Sequence, residues 1–106
     1  MNNDDITVED AAKKISMNGV CVLDVRAPDE RIRGYIKGSE NLNFYDLDFR
    51  NKLEKLDHTK TYIVHCAAGG RSSKAVKIMK ELGFGSAYSL IGGFGEWVKK
   101  GMKAGE

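Results

Sequence analysis

Thr61-Tyr62-Ile63-Val64-His65-Cys66-Ala67-Ala68-Gly69-Gly70-Arg71-Ser72 is the stretch from which the fold can be read. Its first five residues form a β-branched, aromatic and nearly continuous apolar run, as expected of a strand covered on both faces. The run ends in a glycine-rich loop. From Ser72 onward apolar residues recur at helical spacing, Ala75, Val76, Met79 and Leu82, until Gly83 ends the helix.

Working outward, the same alternation repeats. Residues 20–25 make a second buried strand, and residues 87–90 a third that leads through Gly92-Gly93 into a terminal helix. Phe94 and Trp97 lie at helical spacing on that helix and are placed in the core, with Gly92-Gly93 as a tight strand-to-helix turn. At the front, the Thr7 hydroxyl caps a helix whose apolar stripe is Val8, Ala11, Ala12 and Ile15, and Asn18-Gly19 stops it. Pro28 opens a short helix through Arg33, closed by Gly34. Residues 37–43 read as loop, residues 46–56 as an amphipathic helix, and residues 101–106 as a frayed tail. Strands alternating with helices predict an α/β fold with a parallel sheet and helices on both faces. In such a sheet the chemistry belongs at the carboxyl ends of the strands, where Asp24, Arg26 and Cys66 lie.

The 106 residues are 42% hydrophobic and 30% charged with one proline, which excludes a disordered or collagen-like chain. A chain of this length buries roughly 65% of its unfolded surface. One domain over residues 1–106 is expected. Seventeen basic against 15 acidic residues leave a charge of +2, too little to argue for nucleic acid. Cys21 and Cys66 make neither a disulfide framework nor a C-x-x-C pair, which suits a reducing compartment. The polar start, Met1 to Asp5, does not read as a signal peptide, and no apolar run nears the roughly 20 residues that span a membrane. A cytoplasmic, monomeric protein with no nucleic-acid or membrane partner is the expectation.

Cys66 leaves a strand, enters a loop with two glycines, and is followed by Arg71 and a helix start. Glycines let successive backbone amides converge on one point, and the helix end adds a partial positive charge. A free thiol with a pKa near 8.5 is about 3% ionised at neutral pH, and a drop of about two units makes the thiolate dominant. The same amides suit an anionic substrate beside the sulfur. A lone cysteine at a strand end is commonly a small buried hydrophobe. Packing does not require this loop, however, so Cys66 is assigned as a nucleophile.

The ordered set of motifs resembles the single-domain rhodaneses, the thiosulfate-type sulfurtransferases. The resemblance runs through Leu23-Asp24-Val25-Arg26 with Pro28 and Glu30, Gly34-Tyr35-Ile36-Lys37-Gly38 with Asn41, Cys66-Ala67-Ala68-Gly69-Gly70-Arg71-Ser72, Gly92-Gly93 and Trp97. It implies a mainly parallel sheet of about five strands flanked by helices on both faces. It also implies transfer of sulfane sulfur from thiosulfate or a persulfide, through a Cys66 persulfide, to cyanide, a thiol or a protein acceptor. On this reading Ala67, Ala68, Gly69, Gly70, Arg71 and Ser72 bind the substrate, with Arg71 neutralising its charge, and no cofactor is needed. The chain departs from the family pattern at Tyr35, where a histidine is common, at Arg31, where an aromatic is usual, and at Ala67, where a basic residue is frequent.

Asp24 and Arg26 are assigned supporting roles, as a structural pair in which Arg26 also bonds Glu30 one turn on. His65 precedes the nucleophile on a strand, so its side chain belongs to the opposite face and in the core. His58 reads as a surface residue, Cys21 as core, and the lysines at 74, 77, 80, 99, 100 and 103 as solvated helix faces. Nothing in the spacing makes a metal site. Two other function classes stay open at this point. One is a cysteine-dependent phosphatase or arsenate reductase, whose loop carries one more residue between cysteine and arginine. The other is a persulfide carrier or regulatory module without turnover.

Overall fold

The computed structural model describes residues 4–102. Ten elements follow in order: β1 (Asp5–Ile6), α1 (Val8–Lys14), β2 (Val20–Asp24), α2 (Pro28–Arg31), β3 (Glu40–Asn41), α3 (Phe49–Glu54), β4 (Thr61–His65), α4 (Gly70–Glu81), β5 (Ser86–Leu90) and α5 (Gly93–Lys99). The five strands form one sheet in the order β1-β5-β4-β2-β3, and every pairing is parallel. β4 therefore lies at the centre, and its carboxyl end delivers Cys66 to the middle of one edge of the molecule.

The pleat sorts the side chains into two cores. Tyr62, Val64 and Cys66 face one side with Leu53 of α3 and Val76 and Met79 of α4. Ile63 faces the other side with Ala11 of α1 and Trp97 of α5. Burying each such apolar side chain contributes about 1.5–3 kcal/mol, so the central strand is anchored from both faces. α1 begins as its sequence predicts, with the Asp10 N–H donating to the Thr7 hydroxyl.

Three expectations are corrected. Two of the five strands, β1 and β3, are two-residue edge strands in stretches not recognised as strands, and β3 falls within residues 37–43, read as loop. Segments this short have no periodicity and exist only by pairing. The helix expected over residues 46–56 is confined to Phe49–Glu54, because Asp46 first makes a turn in which its carboxylate accepts the Asp48 N–H. The expected frayed tail is ordered at its beginning, where the Met102 N–H donates to the Trp97 carbonyl and Met102 packs on the second core. The rest of that tail, residues 103–106, lies outside the described residues.

Candidate active site

Cys66 sits one residue past β4 and is 2% exposed. The chain turns back over its sulfur, and the Gly69 N–H points at Sγ from 3.0 Å. That approach requires Gly69 to adopt φ 123°, outside the region open to side chains bearing a Cβ. Helix α4 starts at the next residue, and its Ser72 hydroxyl lies 3.6 Å from the sulfur as acceptor of the thiol proton. Burial alone would push the thiol up. The Ser72 amide and hydroxyl, with the Gly69 and Ala68 amides, outweigh it and hold the Cys66 pKa below its ordinary value. The dipoles around the buried sulfur thus favour its anionic form.

Ser72 is held in turn. Its hydroxyl donates to the Gly69 carbonyl at 3.2 Å and lies 2.7 Å from the buried Ser89 hydroxyl on β5. Ser89 escaped the sequence reading. The available signal was a serine in a strand otherwise buried on the helix-covered side, a position that needs a polar partner.

From beneath, α5 clamps the loop. The Phe94 N–H donates to the Cys66 carbonyl at 2.8 Å, and the Gly95 N–H donates to the Ala67 carbonyl at 3.2 Å. A Cβ at Gly93, whose φ is 60°, would stand 2.5 Å from the Cys66 carbonyl oxygen. Gly92-Gly93 therefore does more than turn the chain from strand to helix: it brings one helix end against the loop that carries the sulfur.

Asp24 and Arg26 occupy the corresponding end of β2. Asp24 is fully buried and its carboxylate accepts from the Arg26 backbone N–H at 2.9 Å, from Arg26 Nε at 3.0 Å and Nη2 at 2.9 Å, and from Arg31 Nη1 at 3.3 Å. Burial would raise the Asp24 pKa, but the Arg26 bonds and the surrounding positive charge lower it below the ordinary value. Arg26 also donates to the Gly34 carbonyl at 2.8 Å and lies over the Phe94 ring at 4.3 Å. The expected bond from Arg26 to Glu30 reaches only the backbone carbonyl of Glu30, at 3.5 Å.

The Glu30 carboxylate is used elsewhere. It takes both terminal nitrogens of Arg71, at 2.6 and 2.9 Å, across 41 residues of sequence. Arg71, expected to point its guanidinium at a bound anion, spends it on this bidentate pair. The pairing with Arg71 holds the Glu30 carboxyl down to about 2 and raises the Arg71 pKa. Spacing gives no sign of this contact, because α2 and α4 meet only through the sheet order.

The remaining candidates fall as follows. Ala67 and Ala68 are exposed at the mouth, and Gly70 opens α4. His65 points to the opposite face, fully buried and stacked on Phe94; burial lowers its pKa to about 4, and its Nε2 has no hydrogen-bond partner among the described residues. His58 bonds the Glu54 carbonyl and stacks on Phe84. Cys21 is half-buried against the first core. Among the described residues, no three His, Cys, Asp or Glu side chains gather where they could hold a metal ion.

The structure thus sets a cysteine-centred loop between the central strand of a parallel five-stranded sheet and a helix. The family model described as Rhodanese-like domain matches residues 7–100, and the chain belongs to that family. The thiosulfate sulfurtransferase GlpE of Ectopseudomonas mendocina is 36% identical over 87 residues, covering 81% of this chain and 77% of the relative. Thiosulfate sulfurtransferase 16, chloroplastic, of Arabidopsis thaliana is 29% identical over 101 residues, 86% of this chain and 84% of the relative. Among solved structures, a rhodanese-related protein from Thermoplasma volcanium matches with a TM-score of 0.86 at 34% identity, covering 95% of this chain and 96% of that one.

Proposed function

We propose that this rhodanese-type chain is a sulfurtransferase that carries sulfane sulfur on Cys66. The Cys66 thiolate attacks the outer sulfur of a donor. The donor S–S bond breaks, and the remainder leaves with the electron pair, as sulfite from thiosulfate or as a thiolate from a persulfide. Cys66 is left as a persulfide, whose terminal sulfur an acceptor thiolate or cyanide removes, returning the thiolate. The observation that carries this reading is the Gly69 amide 3.0 Å from Sγ, in a loop whose amides and Ser72 hydroxyl lower the thiol pKa. The amides that stabilise the thiolate suit the persulfide anion as well, since both place negative charge in the same cradle.

The donor and acceptor are small molecules, with an acceptor protein also compatible with the exposed mouth. The sulfur is carried by the protein's own cysteine, so the step calls on no cofactor. No described helix is long and apolar enough to cross a membrane, and a monomer working in the cytoplasm is the setting proposed. Phosphoryl transfer is disfavoured because four residues separate Cys66 from Arg71 and because Glu30 occupies the guanidinium that would hold a phosphoryl oxygen.

The test is intact-mass analysis after incubation with thiosulfate or an organic persulfide, repeated after a thiol wash. One added sulfur, removed by the wash and absent from Cys66→Ser, is expected. Sulfur that maps to Cys21, or hydrolysis of p-nitrophenyl phosphate that matches sulfur transfer and disappears in Cys66→Ser, would overturn the proposal.

A further inference from the structure

Taking Cys66 as the sulfur carrier, we propose that Glu30 sets the donor preference by neutralising Arg71, so that the site takes sulfur from an organic persulfide in preference to thiosulfate. The inference concerns the donor's charge. Thiosulfate is a dianion that must approach a thiolate, and it needs a cation at the mouth to offset the repulsion. The loop amides face the sulfur itself. The two side chains that follow the sulfur, Ala67 and Ala68, are exposed and neutral. The loop's one guanidinium, Arg71, is occupied on both terminal nitrogens by Glu30.

That carboxylate is not a loose surface partner. The Arg71 and Glu30 side chains are only 18% and 28% exposed. Glu30 Oε1 also accepts the Ala27 N–H at 3.0 Å, which ties the carboxylate to the first turn of α2. Releasing Arg71 toward a donor would strand a carboxylate held in place beside an incoming dianion. Moreover, the pairing holds the Glu30 carboxyl down to about 2, so the carboxylate is charged at neutral pH. An organic persulfide reacts in its protonated form, with no charge on the outer sulfur that Cys66 attacks, and escapes most of this penalty. Tyr45, 68% exposed with its ring 5.7 Å from the Arg71 guanidinium, offers an aromatic face to the donor's organic part.

The experiment compares sulfur loading of Cys66 from thiosulfate and from glutathione persulfide, read as initial rates by intact mass. The wild-type protein is expected to load from the persulfide with the higher kcat/KM. Glu30→Gln, checked for folding by thermal melting, is expected to raise the thiosulfate-to-persulfide ratio about tenfold, since removing one opposing charge at a partly buried site is an effect of that size. Ala67→Lys, which adds a cation and leaves the ion pair in place, should raise the same ratio even if Glu30→Gln fails to fold. An unchanged or lowered ratio in either folded variant, or a wild type that prefers thiosulfate, would overturn the inference. A wild type that loads from neither donor would instead overturn the sulfur-carrier reading on which it rests.

Discussion

Two neighbouring strand ends solve opposite electrostatic problems. At the end of β2, full charges are buried and cancelled: the Asp24 carboxylate meets Arg26 and Arg31, and Asn41 Nδ2 closes the turn by donating to the Asp24 and Arg26 carbonyls at 2.9 Å each. At the end of β4, one register step away, Cys66 lies among backbone amides and the Ser72 hydroxyl. The first arrangement is held by side chains that are bonded to one another. The second leaves partial positive charge directed at an atom that can change its state. The charges at the end of β2 are therefore spent on one another, and the proposed chemistry sits where the side chains are small and neutral.

That contrast can be broken from either side. The largest effect is expected from Asp24→Ala, which leaves two arginines without their shared carboxylate, one of them buried. Unfolding in urea should show a loss of about 3–5 kcal/mol, while the pH midpoint of Cys66 alkylation in the still-folded fraction stays near the wild-type value. A stability close to wild type would mean the ion cluster does not hold the end of β2. Next, Gly93→Ala forces a side chain into the left-handed region and against the Cys66 carbonyl. A loss of about 2–4 kcal/mol is expected. Here the alkylation midpoint should rise too, because the clash displaces the sulfur loop. Stability loss without that rise would place the strain outside the loop.

A smaller effect isolates the amide cradle. Ser72→Ala removes the hydroxyl that lies 3.6 Å from the sulfur and should raise the iodoacetamide midpoint of Cys66 by about one pH unit, equivalent to about 1.4 kcal/mol. A midpoint that does not move would assign the depressed thiol pKa to the amides alone.

The remaining effects are acid-linked. His65 is held neutral, its pKa lowered to about 4 from 6.5, so its contribution is present above pH 6.5 and is lost as pH falls toward 4. Glu30 is held ionised, from 4.5 down to about 2, so its contribution is present above pH 4.5 and is lost as pH falls toward 2. Urea titrations from neutral pH downward should show two successive declines, each of about 1–2 kcal/mol. His65→Phe should flatten the upper decline and Glu30→Gln the lower.

Much of this was legible along the chain. The long buried strands, the helices that begin at Thr7-Val8 and Pro28, the α4 stripe and the loop around Cys66 all announce themselves through periodicity, glycine placement and capping chemistry. The facing of His65 away from the site followed from the two-residue repeat of a strand. What stayed hidden shares one physical character. β1 and β3 are too short to carry a pattern. Ser89 gains its role from a hydroxyl on another element, and Gly93 from a carbonyl oxygen that the fold presses against it.

Arg71 marks the boundary between the two kinds of information. The sequence by itself determined that a guanidinium would stand at the start of the helix after the cysteine, because helix position depends on residues within a few places of each other. Which acid it meets was decided only when the sheet order brought α2 beside α4 and set Glu30 at 2.6 and 2.9 Å from its nitrogens. Local periodicity specifies the parts and their direction. Contacts between side chains 41 residues apart depend on distances that only the packed sheet defines.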